Sequence, residues 1–142
     1  MGRLISNITE EAYRVFDASD IRWQAMGDIG ADGMLNITLR TRLEDGTRSS
    51  ALRGAEQFQA IIQHFAGRCQ GIRGSWTYGD HLEAFNHATA AGMLPEEAAL
   101  TTWTGKQAAQ ADYTRVIILL LSGLPGEYTA VKVNFVRPEK YV

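Results

Sequence analysis

One cysteine, three prolines and three histidines in 142 residues leave little room for several kinds of chemistry. The lone thiol, Cys69, can close no internal disulfide and build no cysteine-based zinc site, which predicts a reducing compartment. Long apolar runs are lacking too. The longest, "VIILLL" at residues 116–121, has the length of a buried strand and falls far short of the roughly 20 residues that cross a bilayer. The N-terminus, "MGRLISNITE", has neither an apolar h-region nor a cleavage site, so no membrane segment and no classical secretory route are expected, and the cytoplasm is the predicted place of work. It does fit the N-myristoylation pattern through Gly2 and Ser6, a pattern short enough to arise by chance. An excess of one charge is also missing: 14 Lys and Arg against 16 Asp and Glu give a net charge of -2, with the basic residues spread over the chain. That argues against a wide basic face for nucleic acid but leaves room for a local Arg/Lys pocket. His81 and His87, six residues apart, stand about 240° from one another on a helix and cannot share an ion, and His64 falls on another helix, so no metal is expected.

What is present describes an ordinary globular chain, 45% hydrophobic and 21% charged, and its length predicts one domain. In "NITEEAYRVFDAS" the residues Ile8, Ala12, Val15 and Phe16 fall at helical spacing behind an Asn7/Glu10 capping box, which predicts a first helix. "MLNITLRTRL" alternates as a half-buried strand, Asp45-Gly46 supplies a tight turn, and "TRSSAL" is expected to return as its hairpin partner. "RGAEQFQAIIQHFAG" places Phe58, Ile61, Ile62 and Phe65 at i, i+3, i+4 and i+7, closed by Gly67. In "GIRGSWTY", Ile72, Gly74, Trp76 and Tyr78 share one strand face, and Asp80 with Glu83 predicts the cap of a helix over "HLEAFNHATAAG". Pro95 with Glu96 and Glu97 opens another helix, a break is expected at residues 103–105, Thr104 with Gln107 can cap a short helix, and two strands over residues 114–121 and 128–136 end the chain. The pattern is α+β, a mainly antiparallel sheet with about four helices. Residues 1–142 read as a single domain, with 1–33 as N-terminal helix and loop and 34–137 as core.

Three places could carry chemistry. Asn86 lies about 40° from Leu82 on the helical wheel, at the apolar face, where it either braces an adjoining loop or lines a pocket with Trp76 and Tyr78. In "TTWTGK" the residues Thr102, Trp103, Thr104, Gly105 and Lys106 read either as a helix cap with a core aromatic or as an anion-accepting corner at a helix start. Arg53, where the hairpin ends and the secure helix begins, reads either as a solvated arginine or as a guanidinium facing a phosphate. If the strand near Trp76 lies beside the one starting at Thr114, the "TWTGK" turn approaches the same sheet end and the first two places share a cleft.

The run from "LRGAEQFQAIIQHF" through "GSWTYGDHLEAFNHATAAG" to "EEAALTTWTGKQAAQADYTRV", roughly residues 50–137, resembles the C-terminal domains of bacterial polymorphic toxins of the Rhs and contact-dependent type. Those combine a Phe-Asn helix, a Glu-Ala-Ala helix and a Thr-x-Thr-Gly-Lys turn. The resemblance implies an effector that acts on a protein or RNA in the cytosol of a competing bacterium and is neutralised by a cognate immunity protein. This chain starts at Met1 without a delivery module, which reads as an excised domain or a free-standing relative. Within such toxins the order of Arg53, then Thr102 and Thr104, then Glu127 is similar to that of ADP-ribosyltransferases, which implies NAD as substrate. On that likeness Arg53 and Glu127, with Asn86 and Lys106 from the local reading, form the catalytic set, and Trp76, Tyr78, Thr102, Trp103 and Thr104 line the NAD or substrate pocket. Two departures stand against it: a helix is expected before "TWT" where that family has a strand, and Thr129 occupies the second acidic position of its Glu-x-Glu. Two other functions fit the same residues. One is a non-enzymatic module binding a small ligand or a protein; the other is a metal-independent ribonuclease with His81 or His87 as general base and Lys106 or Arg53 on the phosphate.

Overall fold

The computed structural model describes residues 3–138, so the myristoylation pattern at Gly2 lies outside the described residues. The chain is α+β, with seven strands and four helices, and divides into two compact units, the first ending at Cys69 and the second beginning at Gln70.

The first unit is an antiparallel meander followed by a helix. Strands β1 (Leu4–Ile8), β2 (Ala12–Asp17), β3 (Asp20–Ile29) and β4 (Met34–Arg40) pair in sequence order, and α1 (Gly54–Phe65) packs on β3 and β4. The expected N-terminal helix is therefore corrected: residues 4–29 supply three strands and part of the core, not a helix and loop outside it. Tyr13, Val15 and Asp17 are buried, with exposed Arg14 and half-buried Phe16 between them. Period 2 prevails because β-branched and aromatic side chains pack well on a pleated surface with a partner on each side. The second correction is the hairpin. "TRSSAL" forms no strand, and its tie to the preceding segment is the isolated bridge Arg42↔Arg48. The Asp45-Gly46 turn itself does form, with the Gly46 amide on the Leu43 carbonyl at 2.9 Å and Gly46 at φ +88, but beyond Arg48 the chain leaves the pairing at Ser49, whose Oγ accepts from the amides of Leu52 at 2.8 Å and Ala51 at 3.3 Å. In α1 the buried residues are Phe58, Ile61, Ile62 and Phe65, the set its spacing predicts, and Gly67 follows the C-cap at φ +80.

The second unit runs β5 (Gly71–Trp76), α2 (Gly79–Ala90), α3 (Pro95–Thr101), α4 (Trp103–Gln110), β6 (Arg115–Ser122) and β7 (Ala130–Val136). Strand β7 pairs antiparallel with both β5 and β6, so β5 does not lie beside β6 as the shared-cleft argument required. Ile72, Trp76, Phe85, Val131, Val133 and Phe135 form the core. Tyr78 does not share the strand face of Trp76: it lies beyond the end of β5 and is 85% exposed. The "VIILLL" segment forms β6, but none of its residues is buried, and Ile117, Leu119 and Leu120 are 37–46% exposed. Its length was readable, but its edge position was not. Among the described residues no helix is long and apolar enough to cross a membrane.

Two helix starts also differ from expectation. Tyr78, not Asp80, is the N-cap of α2 and makes no side-chain cap bond; Asp80 lies in the first turn, where a carboxylate meets the positive end of the helix. The break between α3 and α4 falls at Thr102, whose hydroxyl donates to the Ala99 carbonyl at 2.7 Å and accepts from the Gly105 amide at 3.0 Å. One buried threonine thus ends one helix and caps the next.

Candidate functional site

Although β5 and β6 are separated by β7, the two sequence stretches singled out above do meet in the second unit, through their helices. His81, in the first turn of α2, presents Nε2 to Thr104 Oγ1 of α4 at 2.8 Å. Its ring also stacks on the Trp76 indole, centroids 5.8 Å apart and planes inclined by 12°. Trp76 is 7% exposed and leans in turn on Phe85 and Phe135 at 6.2 and 6.3 Å, so the imidazole is held between a rigid aromatic cluster and a helix start. Burial pushes the His81 pKa below its usual value of 6.5, and the Asp80 carboxylate opposes this only in part. The ring is thereby kept neutral at neutral pH, the state a general base requires.

That shift has a consequence for stability. Below pH 6.5 the unfolded chain takes a proton on His81 before the folded chain does, so the folded state loses stability as pH falls toward the lower folded pKa. His81→Gln removes this proton uptake. Denaturant titrations at a series of pH values should therefore show a smaller loss on acidification for His81→Gln than for the native chain. Equal losses would mean that the ring is not desolvated.

Asn86 has a different occupation. Its side-chain amide donates to the Tyr128 carbonyl at 3.0 Å and its oxygen accepts from the Tyr128 amide at 2.8 Å. Thr89 adds a third tie, its hydroxyl accepting from the Gly126 amide at 2.9 Å. Together they fasten the β6–β7 connection to α2, which is the bracing use of Asn86 considered from the sequence.

The remaining predicted residues are scattered. Glu127 is exposed on the connection, between Gly126 held by Thr89 and Tyr128 held by Asn86, whereas Thr104 meets α2 earlier, at His81 in its first turn. Thr102 is fully buried and spent on its cap bonds. Trp103 is 40% exposed and Lys106 is exposed beyond Thr104. Arg53 belongs to the first unit, where it is the N-cap of α1 without a side-chain cap bond. His81, which joins the two stretches, was one of two histidines offered by the sequence as a general base, but its contact with Thr104 was not readable because that partner is 23 positions away.

Among the described residues no group of three or more His, Cys, Asp or Glu side chains could hold a metal ion. The chain shows no significant match to any family model, curated protein or solved structure.

Proposed function

We propose that the chain is a cytosol-acting effector of the polymorphic-toxin kind and that its chemistry is metal-independent cleavage of RNA with His81 as general base. The observation that carries this reading is the His81–Thr104 contact beside Trp76: a neutral imidazole, oriented by a second polar group on the helix that also carries the exposed Lys106. In the tautomer this reading assigns, Nε2–H donates to Thr104 and the Nδ1 lone pair removes the proton of a ribose 2′-hydroxyl. The oxygen attacks the adjacent phosphorus, and the 5′-oxygen leaves with a proton from solvent. Lys106 offsets the charge on the phosphoryl oxygens as it builds up. The acidic balance of the chain limits the contact to this local cation.

The transferase reading has less support. Of the two threonines it needs, Thr102 already spends its hydroxyl within the helix junction.

Expression of the intact chain in bacterial cytosol tests the proposal. Growth arrest with RNA fragmentation that persists in a chelator is expected, and His81→Gln should relieve both while remaining folded by circular dichroism. Normal growth at verified soluble expression would overturn the effector reading. Arrest with NAD consumption and intact RNA would replace the nuclease with the transferase.

A further inference from the structure

The first unit contains a cleft of about 430 Å³ that the proposed chemistry does not use. It is lined by Thr41, Arg48, Ser49, Ser50, Leu52, Arg53 and Gly54, which belong to the connection from β4 to α1 and the first residue of that helix. The wall is built, not incidental. The Ser49 hydroxyl donates to Asp17 Oδ2 at 2.6 Å, and the Asp17 carboxyl, fully buried in β2, is held below the usual carboxylate range by the hydroxyls of Ser19 and Ser49. Ser49 is therefore anchored to an ionised group in the sheet. It also takes the Leu52 amide, which fixes the chain between Arg48 and Arg53. Leu52 is 1% exposed and pins the far end of the same segment.

Arg48 and Arg53 thus both line the cleft, on a stretch of backbone that Ser49 ties to the sheet. Both are exposed, and among the described residues neither makes an ion pair or a side-chain hydrogen bond. Two other arginines of this unit are engaged, Arg22 with Asp20 at 2.6 Å and Arg68 with the carbonyls of Glu10 and His64. Two arginines without an ion-pair partner on a cleft that also offers serine and threonine hydroxyls suit an oxyanion, because each guanidinium offers paired N–H donors in the geometry of a phosphate edge. A double positive charge favours a dianion over a monoanion. The volume falls within the range of small-molecule sites and exceeds what a bare phosphate fills.

We infer that this cleft binds the terminal phosphate of a small phosphorylated metabolite, with Arg48 and Arg53 on the phosphate and the Ser50 hydroxyl and the start of α1 beside it. The inference is independent of the RNA-cleavage reading. It also differs from a clamp on the NAD pyrophosphate, whose two charges are spread over two bridging phosphates with no terminal phosphate to seat.

Calorimetric titration of the full chain with adenosine 5′-monophosphate, adenosine and NAD tests it. Saturable binding of the monophosphate is expected, with no binding of adenosine, at least about tenfold weaker binding of NAD, and a loss of affinity as salt rises. Arg48→Ala and Arg53→Ala should each weaken the monophosphate at least about tenfold at an unchanged melting temperature, and Arg48→Lys should restore only part, because it keeps the charge and loses the fork. Equal binding of adenosine or of NAD, no binding of the monophosphate at millimolar concentration, or binding that survives both alanine variants would overturn it.

Discussion

Gly105→Ala should lower the melting temperature by roughly 10 °C, a loss of about 3 kcal/mol. A Cβ on Gly105 would lie 2.1 Å from the Ala99 carbonyl oxygen and 2.8 Å from Leu100 Cα. Both are backbone atoms at the end of α3, so no side chain can swing aside and the two helices must separate. Overpacking in a closed interior ordinarily costs about 1–3 kcal/mol, and contact with fixed backbone belongs at the upper end of that range. The better helix propensity of alanine works the other way by about 1 kcal/mol and does not reverse the sign. The neighbouring Lys106→Ala, at an exposed helical position, should change stability by less than about 0.5 kcal/mol and serves as the control. Melting curves of the two variants decide the matter: a Gly105→Ala protein that melts with the native chain would mean that α3 and α4 do not approach as described. In the sequence this glycine looked like the flexible element of an anion-accepting corner. In the structure it is buried, and its value lies in what it lacks.

Asn86→Ala should destabilise by about 2–4 kcal/mol and should do so before any question of activity arises. The substitution leaves both the amide and the carbonyl of Tyr128 without their partner at a residue only 7% exposed, and each such group costs about 1–3 kcal/mol when desolvated and unpaired. Asn86→Asp is the informative companion. It can still accept from the Tyr128 amide, but it sets a carboxylate oxygen against the Tyr128 carbonyl, so it should not recover native stability. Denaturant unfolding of the pair, read beside activity, separates two roles. Loss of activity at native stability would return Asn86 to the list of reacting groups; loss of stability in the alanine variant marks it as the fastener of the β6–β7 connection.

The contrast between these residues shows what the sequence could convey. Helix α1 was legible because four large apolar residues at helical spacing leave one way to bury them, and α3 because Pro95 and two glutamates suit a helix start and little else. Strands β4 and β7 were legible by alternation. The N-terminal segment misled because Ile8, Ala12, Val15 and Phe16 satisfy a helical wheel while Tyr13, Val15 and Asp17 satisfy a strand, and only the pairing of β2 with β1 and β3 decides between them. "TRSSAL" misled for a related reason: the hydrogen bond that anchors it, from Ser49 to Asp17, joins residues 32 positions apart. The candidate site shares that property. Thr104 and Lys106 stood out locally, but the placement of His81 against Trp76 and Thr104 depends on how α2 and α4 pack, which no spacing within either helix records.

Strand β6 matters beyond the fold. From Val116 to Leu121 it carries no charge, no proline and no buried side chain, and among the described residues it pairs with β7 on one side only, with a shift of register between Ile118 and Leu120. Natural sheets usually blunt such a rim with a lysine or a proline. Here the flanking Arg115 is the gatekeeper, and it stands at one end. The exposed apolar rim is therefore a place where copies of the chain can pair edge to edge as concentration rises, and Leu119→Lys, at an exposed position within the register irregularity, should raise the concentration at which the chain stays dispersed.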